Sequence, residues 1–290
     1  MREAVVAVGV ATLWTAPEAP RPVDAPALGT PAHPRHWLNA MTSGDRAGLN
    51  GRTLTQIPLG EAVLVEEERE GWSRVLVPSQ ASELDERGYP GWLPSAQLTG
   101  ASAVPGDAYI VDATSTALRD EPSGDVALPA VVLGTRLVAA GPVVRGWVPV
   151  HVPGQAEPLF ARLRDLRAAA AGAGTPLAVA ERLLDVPYIW GGVSAYGIDC
   201  SGLVHLAYAR TGQQVPRDAA EQQAAATPVA LGTEQPGDLY FFARPGQPVH
   251  HVGFVLGERR MLHACYTGGK VVAEDLTPER SATLVSAGRL

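Results

Sequence analysis

Short runs of alternating apolar and polar residues dominate the first 160 positions. Val6, Val8 and Val10 alternate near the start, Val75 and Val77 follow a Gly-Trp pair, and Val150 and Val152 follow another. Turn residues separate these runs, and a period of two predicts short half-buried strands. From about residue 175 the pattern changes. TPLAVAERLLDV (175–186) predicts a helix with Thr175 at the N-cap, Pro176 in the first turn, and Leu177, Ala180, Leu183 and Leu184 at helical spacing. A second helix is predicted over 200–211, stopped by Gly212, and three strands over 239–243, 252–257 and 261–266. Helices followed by an antiparallel sheet define an α+β domain.

The strand-rich part contains a repeat. Residues 57–80 align with 131–155: Leu59-Gly60 matches Leu133-Gly134, Gly71-Trp72 matches Gly146-Trp147, and Val75, Val77, Pro78 and Gln80 match Val150, Val152, Pro153 and Gln155. Upstream, Leu13 and Pro17 match Leu118 and Pro122. Short strands with Gly-Trp turns describe a small, strongly bent β-barrel, and the arrangement resembles bacterial SH3-like domains, twice over. The first copy carries an insertion at about 20–50 and closes with GYPGWLPSAQL (88–98); Trp72 and Trp147 are expected in the barrel cores. The Ala-rich stretch 161–174 reads as a helical turn followed by a flexible link. The expected architecture is multidomain: SH3-like domain 1 over 1–100, SH3-like domain 2 over 101–168, and an α+β papain-like peptidase domain over 169–290.

Composition narrows the possible functions. Hydrophobic residues make up 46% of the 290 positions and charged residues 18%, with 31 Gly and 25 Pro. The material suffices for packed cores rich in turns. A net charge of −7 argues against nucleic acid, which requires a basic face, and against attachment to anionic lipid. The opening MREAVVAVGVATLW has Glu3 after Arg2 and no small-residue cleavage site, so it reads as folded structure rather than a leader. No apolar run reaches the length of a membrane span. The expected location is cytoplasmic, with a secreted or wall-associated protein as the alternative.

Cys200 and Cys265 are the only cysteines, too few for a disulfide framework. Cys200 follows a Gly-rich loop and stands in Asp199-Cys200-Ser201-Gly202 at the start of the second predicted helix. Asp199 suits the N-cap, and the free N–H groups and dipole of a helix start favour a thiolate. His250 and His251 open the strand VHHVGFVLG, and His263 lies on the next one, MLHACY. Alternation lets only one of His250 and His251 face the thiol, and a hairpin around 257–260 brings His263 beside it. Nucleophile, base and orienting group are then all present. Zinc is not expected: there is no C-x-x-C or H-E-x-x-H spacing, and neither His250 with His251 nor His263 with Cys265 and Cys200 converges readily. No cofactor is expected either.

The order Y-x-W-G-G, DCSGLV, H-V-G-F and H-A over about 176–290 resembles the NlpC family of cell-wall cysteine peptidases. That resemblance implies Cys200 as nucleophile, His251 as general base and His263 as the group that orients it. Tyr188, Trp190, Asp199 and Ser201 would then border the oxyanion and substrate site. VPRDAAEQQ (215–223) resembles the P-R-D loop of the γ-D-glutamyl-L-diamino-acid endopeptidases that process murein peptides. The resemblance implies that Asp218 binds the free amine of an N-terminal L-Ala. Ala219 departs from a relative that has Ser after this Asp. Tyr89 in Y-P-G-W matches a tyrosine that closes the pocket from the first SH3-like domain, and Glu61 is the weaker candidate from that domain. The expected function is a murein-peptide endopeptidase acting through a Cys thioester. Its alternatives are a secreted hydrolase of intact wall, anchored by the SH3-like domains, and a non-catalytic wall-binding protein.

Overall fold

A computed structural model describes residues 1–102, 104–172 and 174–290. Positions 103 and 173, the first inside the expected second domain and the second inside the expected linker, lie outside the described residues. The chain is mostly β and divides into two compact units. One holds Met1–Ser79, Pro90–Gly172 and Ser194–Tyr196; the other holds Gln80–Tyr89, the segment ending at Val193, and Gly197–Leu290. The units interleave along the sequence rather than meeting at single boundaries.

The first unit carries two seven-stranded sheets. One is built from β1 (Arg2–Val6), β2 (Val10–Trp14), β3 (Thr53–Pro58), β4 (Ala62–Arg69), β5 (Trp72–Val77), β6 (Tyr89–Pro94, whose first residue falls in the other unit) and β7 (Leu98–Thr99). The other comprises β8 (Ala108–Val111), β9 (Ser115–Arg119), β10 (Val126–Val132), β11 (Arg136–Ala139), β12 (Trp147–His151), β13 (Leu159–Arg162) and β14 (Leu166–Ala168). Their spatial orders, β3-β2-β6-β5-β4-β1-β7 and β10-β9-β13-β12-β11-β8-β14, are the same topology shifted by seven strands. The repeat read in the sequence is therefore a repeat of strand order. Its matched Gly-Trp pairs are matched turns: Glu70-Gly71 and Arg145-Gly146 all have positive φ, the geometry of a tight two-residue hairpin. Leu59 projects from the β3–β4 turn into the core formed by Val111, Leu118, Leu137, Val148 and Val150 of the second sheet.

Two expectations change, and the insertion gains a described structure. The Val6–Val8–Val10 alternation spans two strands, because the chain bends at 7–9, where Gly9 presses against Pro129 and Ala130 too closely for any side chain. The insertion is ordered and includes α1 (Ala25–Leu28), α2 (Pro34–Ala40) and α3 (Ser43–Ala47). Buried Asp24 organises it, accepting from Arg21 Nε and from Trp37 Nε1, both at 2.8 Å. The stretch read as a helical turn and link supplies β13, a single 3-10 turn and β14 instead. Leu159 and Ala161 are buried there, and β14 pairs with β8, so cross-strand pairing outweighs the helix propensity of alanine.

In the second unit α4 (Pro176–Glu181) starts as predicted, with Thr175 Oγ1 accepting from Ala178 N, but ends early. The chain turns at Asp185, which has positive φ, to bond Val271 O and Gly269 O, and Pro187 prevents a helical continuation. After β15 (Val193–Ser194) and β16 (Gly197–Ile198) comes the buried α5 (Cys200–Arg210), and then α6 (Ala219–Ala225). The main sheet is β17 (Thr227–Val229), β18 (Leu239–Ala243), β19 (Val249–Gly257), β20 (Arg260–Cys265), β21 (Lys270–Asp275) and β22 (Leu284–Arg289), with the short α7 (Pro278–Ser281) before the last strand. Its order is β17-β22-β18-β19-β20-β21, with every pairing antiparallel. Tyr208 of α5 stacks on Phe254 of β19 at 6.2 Å. Among the described residues, no helix is long and apolar enough to cross a membrane.

Leu59→Ala should lower the stability of the first unit by about 2–5 kcal/mol, because the cavity opens in the second sheet's core. Urea unfolding followed by tryptophan fluorescence measures this.

Candidate active site

Cys200 is the first residue of α5 and is buried. Asp199 caps the helix, Oδ1 accepting from Gly202 N and Oδ2 from Gly191 N, both at 2.7 Å. The same carboxylate takes both arms of the Arg217 guanidinium: Nη1 donates to Oδ1 at 3.1 Å and Nη2 to Oδ2 at 2.8 Å. Arg217 Nη1 also donates to Ser201 Oγ at 2.9 Å. Arg217 is completely buried, so this bidentate pair fixes the Gly-rich loop, the helix start and the loop before α6 to one another.

Burial pushes the Cys200 thiol up, to about 12, and the adjacent Asp199 carboxylate adds to the effect; the backbone N–H groups of Val252 and Ser201 and the Arg217 charge oppose it. The position at a helix start therefore supplies only part of the activation, as expected, and burial outweighs it. Ionisation requires a partner that takes the proton.

β19 and β20 bring two candidate imidazoles together. Their turn has two non-glycine residues of positive φ, Glu258 and Arg259, and sets Phe254 opposite Leu262 and Val255 opposite Met261. Extending the register by one residue sets Gly253 opposite His263. A Cβ at Gly253 would lie 2.8 Å from His263 Cβ and nearer still to Met261 Cε. The missing side chain gives the His263 ring room to reach diagonally across to His251, and Nε2 of His251 lies 2.8 Å from Nδ1 of His263. His251 is nearly buried and His263 wholly so, whereas His250 is exposed. Burial holds both inner imidazoles below their usual range. His251 is lowered further by His263, Arg280 and His250, and His263, at about 3, by Arg280.

Asp218 stands at the N-terminus of α6, next to Arg217, with its side chain 44% exposed. Tyr89 belongs to the same compact unit, and its hydroxyl donates to Asp218 Oδ2 at 2.8 Å. Burial, then the Asp218 charge, raises the Tyr89 phenol, so it remains a donor. Nearby, Ser82 Oγ and the Glu83 N–H donate to Glu221, and Arg217 N donates to Ala81 O. Tyr188 is buried edge-to-face against Tyr266, with ring centroids 5.3 Å apart. Burial, followed by the Cys200 and Asp199 charges, keeps its phenol protonated. Trp190 is 37% exposed. Glu61 lies in the other unit, in the β3–β4 turn, where its backbone bonds Val6 and Pro58.

The sequence reading assigned no role to Arg217, Glu274 or Arg280. Arg217 stands in the quoted P-R-D loop, and a basic residue beside a helix-capping carboxylate was the available signal. Glu274 is on β21, where its Oε1 lies 3.0 Å from His263 Nε2 and accepts from Arg280 Nε at 2.7 Å. His263 and Cys265, two apart on one strand, share a face after all, and with Glu274 they bring three ligand-type atoms within 4.8 Å of one another. Arg280 donates to both Glu274 and Cys265 Sγ, so a guanidinium already occupies this cluster.

A helix that starts at a buried cysteine, set against a sheet with paired imidazoles, fits a thiol-dependent hydrolase. A model of the NlpC/P60 family matches residues 185–287. The chain is 35% identical over 276 residues to the gamma-D-glutamyl-L-lysine dipeptidyl-peptidase of Bacillus subtilis (strain 168), covering 92% of each protein. It is 33% identical to the Bacillus cereus (strain ATCC 10987 / NRS 248) protein of the same name, covering 90% of this chain and 83% of that one. The crystal structure of an NlpC/P60 family protein from Bacillus cereus ATCC 10987 superposes with a TM-score of 0.89 at 30% identity, over 99% of both chains. The chain belongs to the NlpC/P60 family.

Arg217→Met should destabilise the second unit by about 3–5 kcal/mol, because Asp199 is left buried without its counter-charge; denaturant unfolding measures it. Acid should have a second effect. His205 is buried against Val215 O at 3.0 Å, and burial, then Arg217, lowers it to about 4. Its folded value lies below the unfolded 6.5, so the unfolded chain takes up the proton first. Stability is complete above pH 6.5 and falls by roughly 3 kcal/mol for this residue alone as the pH drops to about 4. Unfolding of His205→Gln, compared with the parent at pH 7 and pH 4.5, isolates that contribution.

Proposed function

We propose that this protein is a cysteine endopeptidase that cleaves the γ-D-glutamyl–L-diamino-acid bond of murein peptides bearing a free N-terminal L-Ala. The observation that carries the reading is the Tyr89–Asp218 hydrogen bond. It holds a half-exposed carboxylate in place beside the helix that bears Cys200. A fixed carboxylate suits an ammonium group and excludes a blocked amine. The names of the Bacillus relatives support the bond type.

In this reading Cys200 gives its proton to His251, and the thiolate attacks the γ-carbonyl carbon of D-Glu. The Cys200 N–H and the Tyr188 hydroxyl donate to the oxyanion. His251 then protonates the departing diamino-acid nitrogen, leaving a thioester on Cys200. Water, deprotonated by His251, hydrolyses the thioester and restores the thiol. His263 stabilises the charged His251. Trp190 and Ser201 border the substrate, and Glu61 is the outlying candidate contact. We read the two repeated sheets as SH3-like barrels, domains 1–100 and 101–168, ahead of a peptidase domain at 169–290. We place the protein in the cytoplasm as a recycling enzyme.

Mass spectrometry of reactions with L-Ala-γ-D-Glu-L-Lys, L-Ala-γ-D-Glu-meso-diaminopimelate and their N-acetylated forms tests the reading. The free-amine peptides should release L-Ala-D-Glu and the acetylated ones should remain intact. Equal cleavage of both forms removes the role given to Asp218, and cleavage of neither removes the substrate. Asp218→Asn should cut kcat/KM for the free-amine peptide by roughly tenfold to a hundredfold, the worth of a charge-assisted bond of about 1.5–3 kcal/mol, with little change in unfolding midpoint.

A further inference from the structure

His251, His263 and Glu274 lie on three adjacent strands, β19, β20 and β21. β20 and β21 pair His263 with Val272 and Met261 with Glu274, so Glu274 is the diagonal neighbour of His263 on the same face. A diagonal of this kind is within reach of long side chains. Here Glu274 Oε1 lies 3.0 Å from His263 Nε2, while Nδ1 of the same ring lies 2.8 Å from His251 Nε2. Both nitrogens of a fully buried ring thus have one partner each.

The two partners are chemically unequal, and that decides where the proton sits. A carboxylate can only accept, so the nitrogen facing Glu274 must carry the hydrogen. The nitrogen facing His251 is then a lone pair. A charged His251 carries hydrogen on both its nitrogens and requires an acceptor at Nε2, and only this tautomer of His263 offers one. The opposite tautomer would set N–H against N–H across 2.8 Å. We propose that Glu274 is a positioning residue of the site: by accepting the Nε2 hydrogen of His263 it fixes the tautomer whose Nδ1 can support His251 when that ring takes the proton from Cys200.

Glu274 is itself held. Arg280 Nε donates to the same Oε1 at 2.7 Å, and Nη2 donates to Cys265 Sγ at 3.1 Å. Cys265 Sγ also accepts from Gly268 N at 3.1 Å. Thr277 Oγ1 caps α7 by accepting from Arg280 N at 3.3 Å, so the guanidinium hangs from a fixed turn. The titratable and charged groups facing His263 are His251 from β19, Glu274 from β21, Arg280 from α7 and Cys265 from its own strand. Burial and Arg280 both keep His263 neutral, the state in which a tautomer choice exists.

The proposal rests on reading His251 as the base, so its test does not depend on the peptide substrate. Long-range 1H–15N NMR of 15N-histidine-labelled protein reads the His263 tautomer, and the pH profile of iodoacetamide alkylation at Cys200 reads formation of the thiolate. Cys265 is removed as a competing thiol with Cys265→Ala in every sample. In the parent, His263 should carry its hydrogen on Nε2; finding it on Nδ1 overturns the proposal without any Glu274 variant. Glu274→Leu should shift hydrogen to Nδ1 and slow alkylation near neutral pH by roughly tenfold to a hundredfold, as loss of a partner that orients a histidine does elsewhere. Where the peptide is cleaved, kcat should fall equally with KM unchanged. Glu274→Gln should keep the Nε2–H tautomer and the parental alkylation rate within about threefold, because Arg280 still aims an oxygen at the ring. Parental alkylation in Glu274→Leu, or slowed alkylation with His263 still protonated at Nε2, overturns it. A parent that alkylates as expected but cleaves no murein peptide refutes the substrate reading alone.

Discussion

The buried Arg217–Asp199 pair is the constraint on which the site depends. Burying one charge is costly, and a pair repays that cost only when geometry and hydrogen bonding are nearly complete. Here they are: the carboxylate receives two backbone N–H groups and both guanidinium arms, and the guanidinium reaches a serine hydroxyl besides. The bonds tie together three pieces of chain. Gly191 comes from the loop before the nucleophile, Gly202 and Ser201 from the first turn of α5, and Arg217 from the loop before α6. A helix start would otherwise fray, but the residue that follows the cap is Cys200. One ion pair therefore sets the position of Cys200 and, one residue beyond Arg217, the position of Asp218.

The sheet solves a different problem. His263 can lean across to His251 because the residue opposite it on β19, Gly253, has no side chain in the way. That glycine is required by close approach rather than by backbone angle, since its φ is not positive. With Gly253 opposite it, His263 can lean toward His251 on one side while its other nitrogen meets Glu274 on the next strand. The helix supplies a position and the sheet supplies a line of hydrogen-bonding groups; α5 packing on β19 joins the two, with Tyr208 against Phe254.

Local features of the sequence carried much of this. The cap at Asp199, the stop at Gly212, the hairpin around 257–260 and the Gly-Trp repeat are each set by residues within a few positions of one another, where turn and cap chemistry act. What escaped was long-range. Nothing around Glu274 in KVVAED indicates that it meets a histidine eleven positions earlier, because that depends on the β20–β21 register. Residues 161–168 failed for the same reason: alanines and arginines favour helix locally, while pairing with β12 and, further upstream, with β8 claims them for a sheet. The extent of the thiol's burial was likewise not legible from the helix-start motif. A helix dipole acts at the surface much as the sequence implies, but full burial beside Asp199 outweighs it.

That last point shapes how the chemistry can proceed. Burial raises the Cys200 thiol and lowers both histidines, so the resting site favours neutral groups. Forming thiolate and imidazolium together separates charge in a medium that opposes it, and the surrounding groups must repay the cost at both ends. At the thiolate end stand the N–H groups of Val252 and Ser201 and the positive charge of Arg217. At the imidazolium end the proposed tautomer would offer the lone pair of His263, with its hydrogen toward Glu274. The buried guanidinium of Arg217 and the part-exposed one of Arg280 divide the work. Arg217 favours negative charge on sulfur directly, whereas Arg280, which disfavours positive charge on the histidines, contributes by holding the carboxylate that orients them. Were Arg280 free to face the rings without Glu274 between, its charge would oppose the base; its bond to Glu274 Oε1 turns the same cation into support for it.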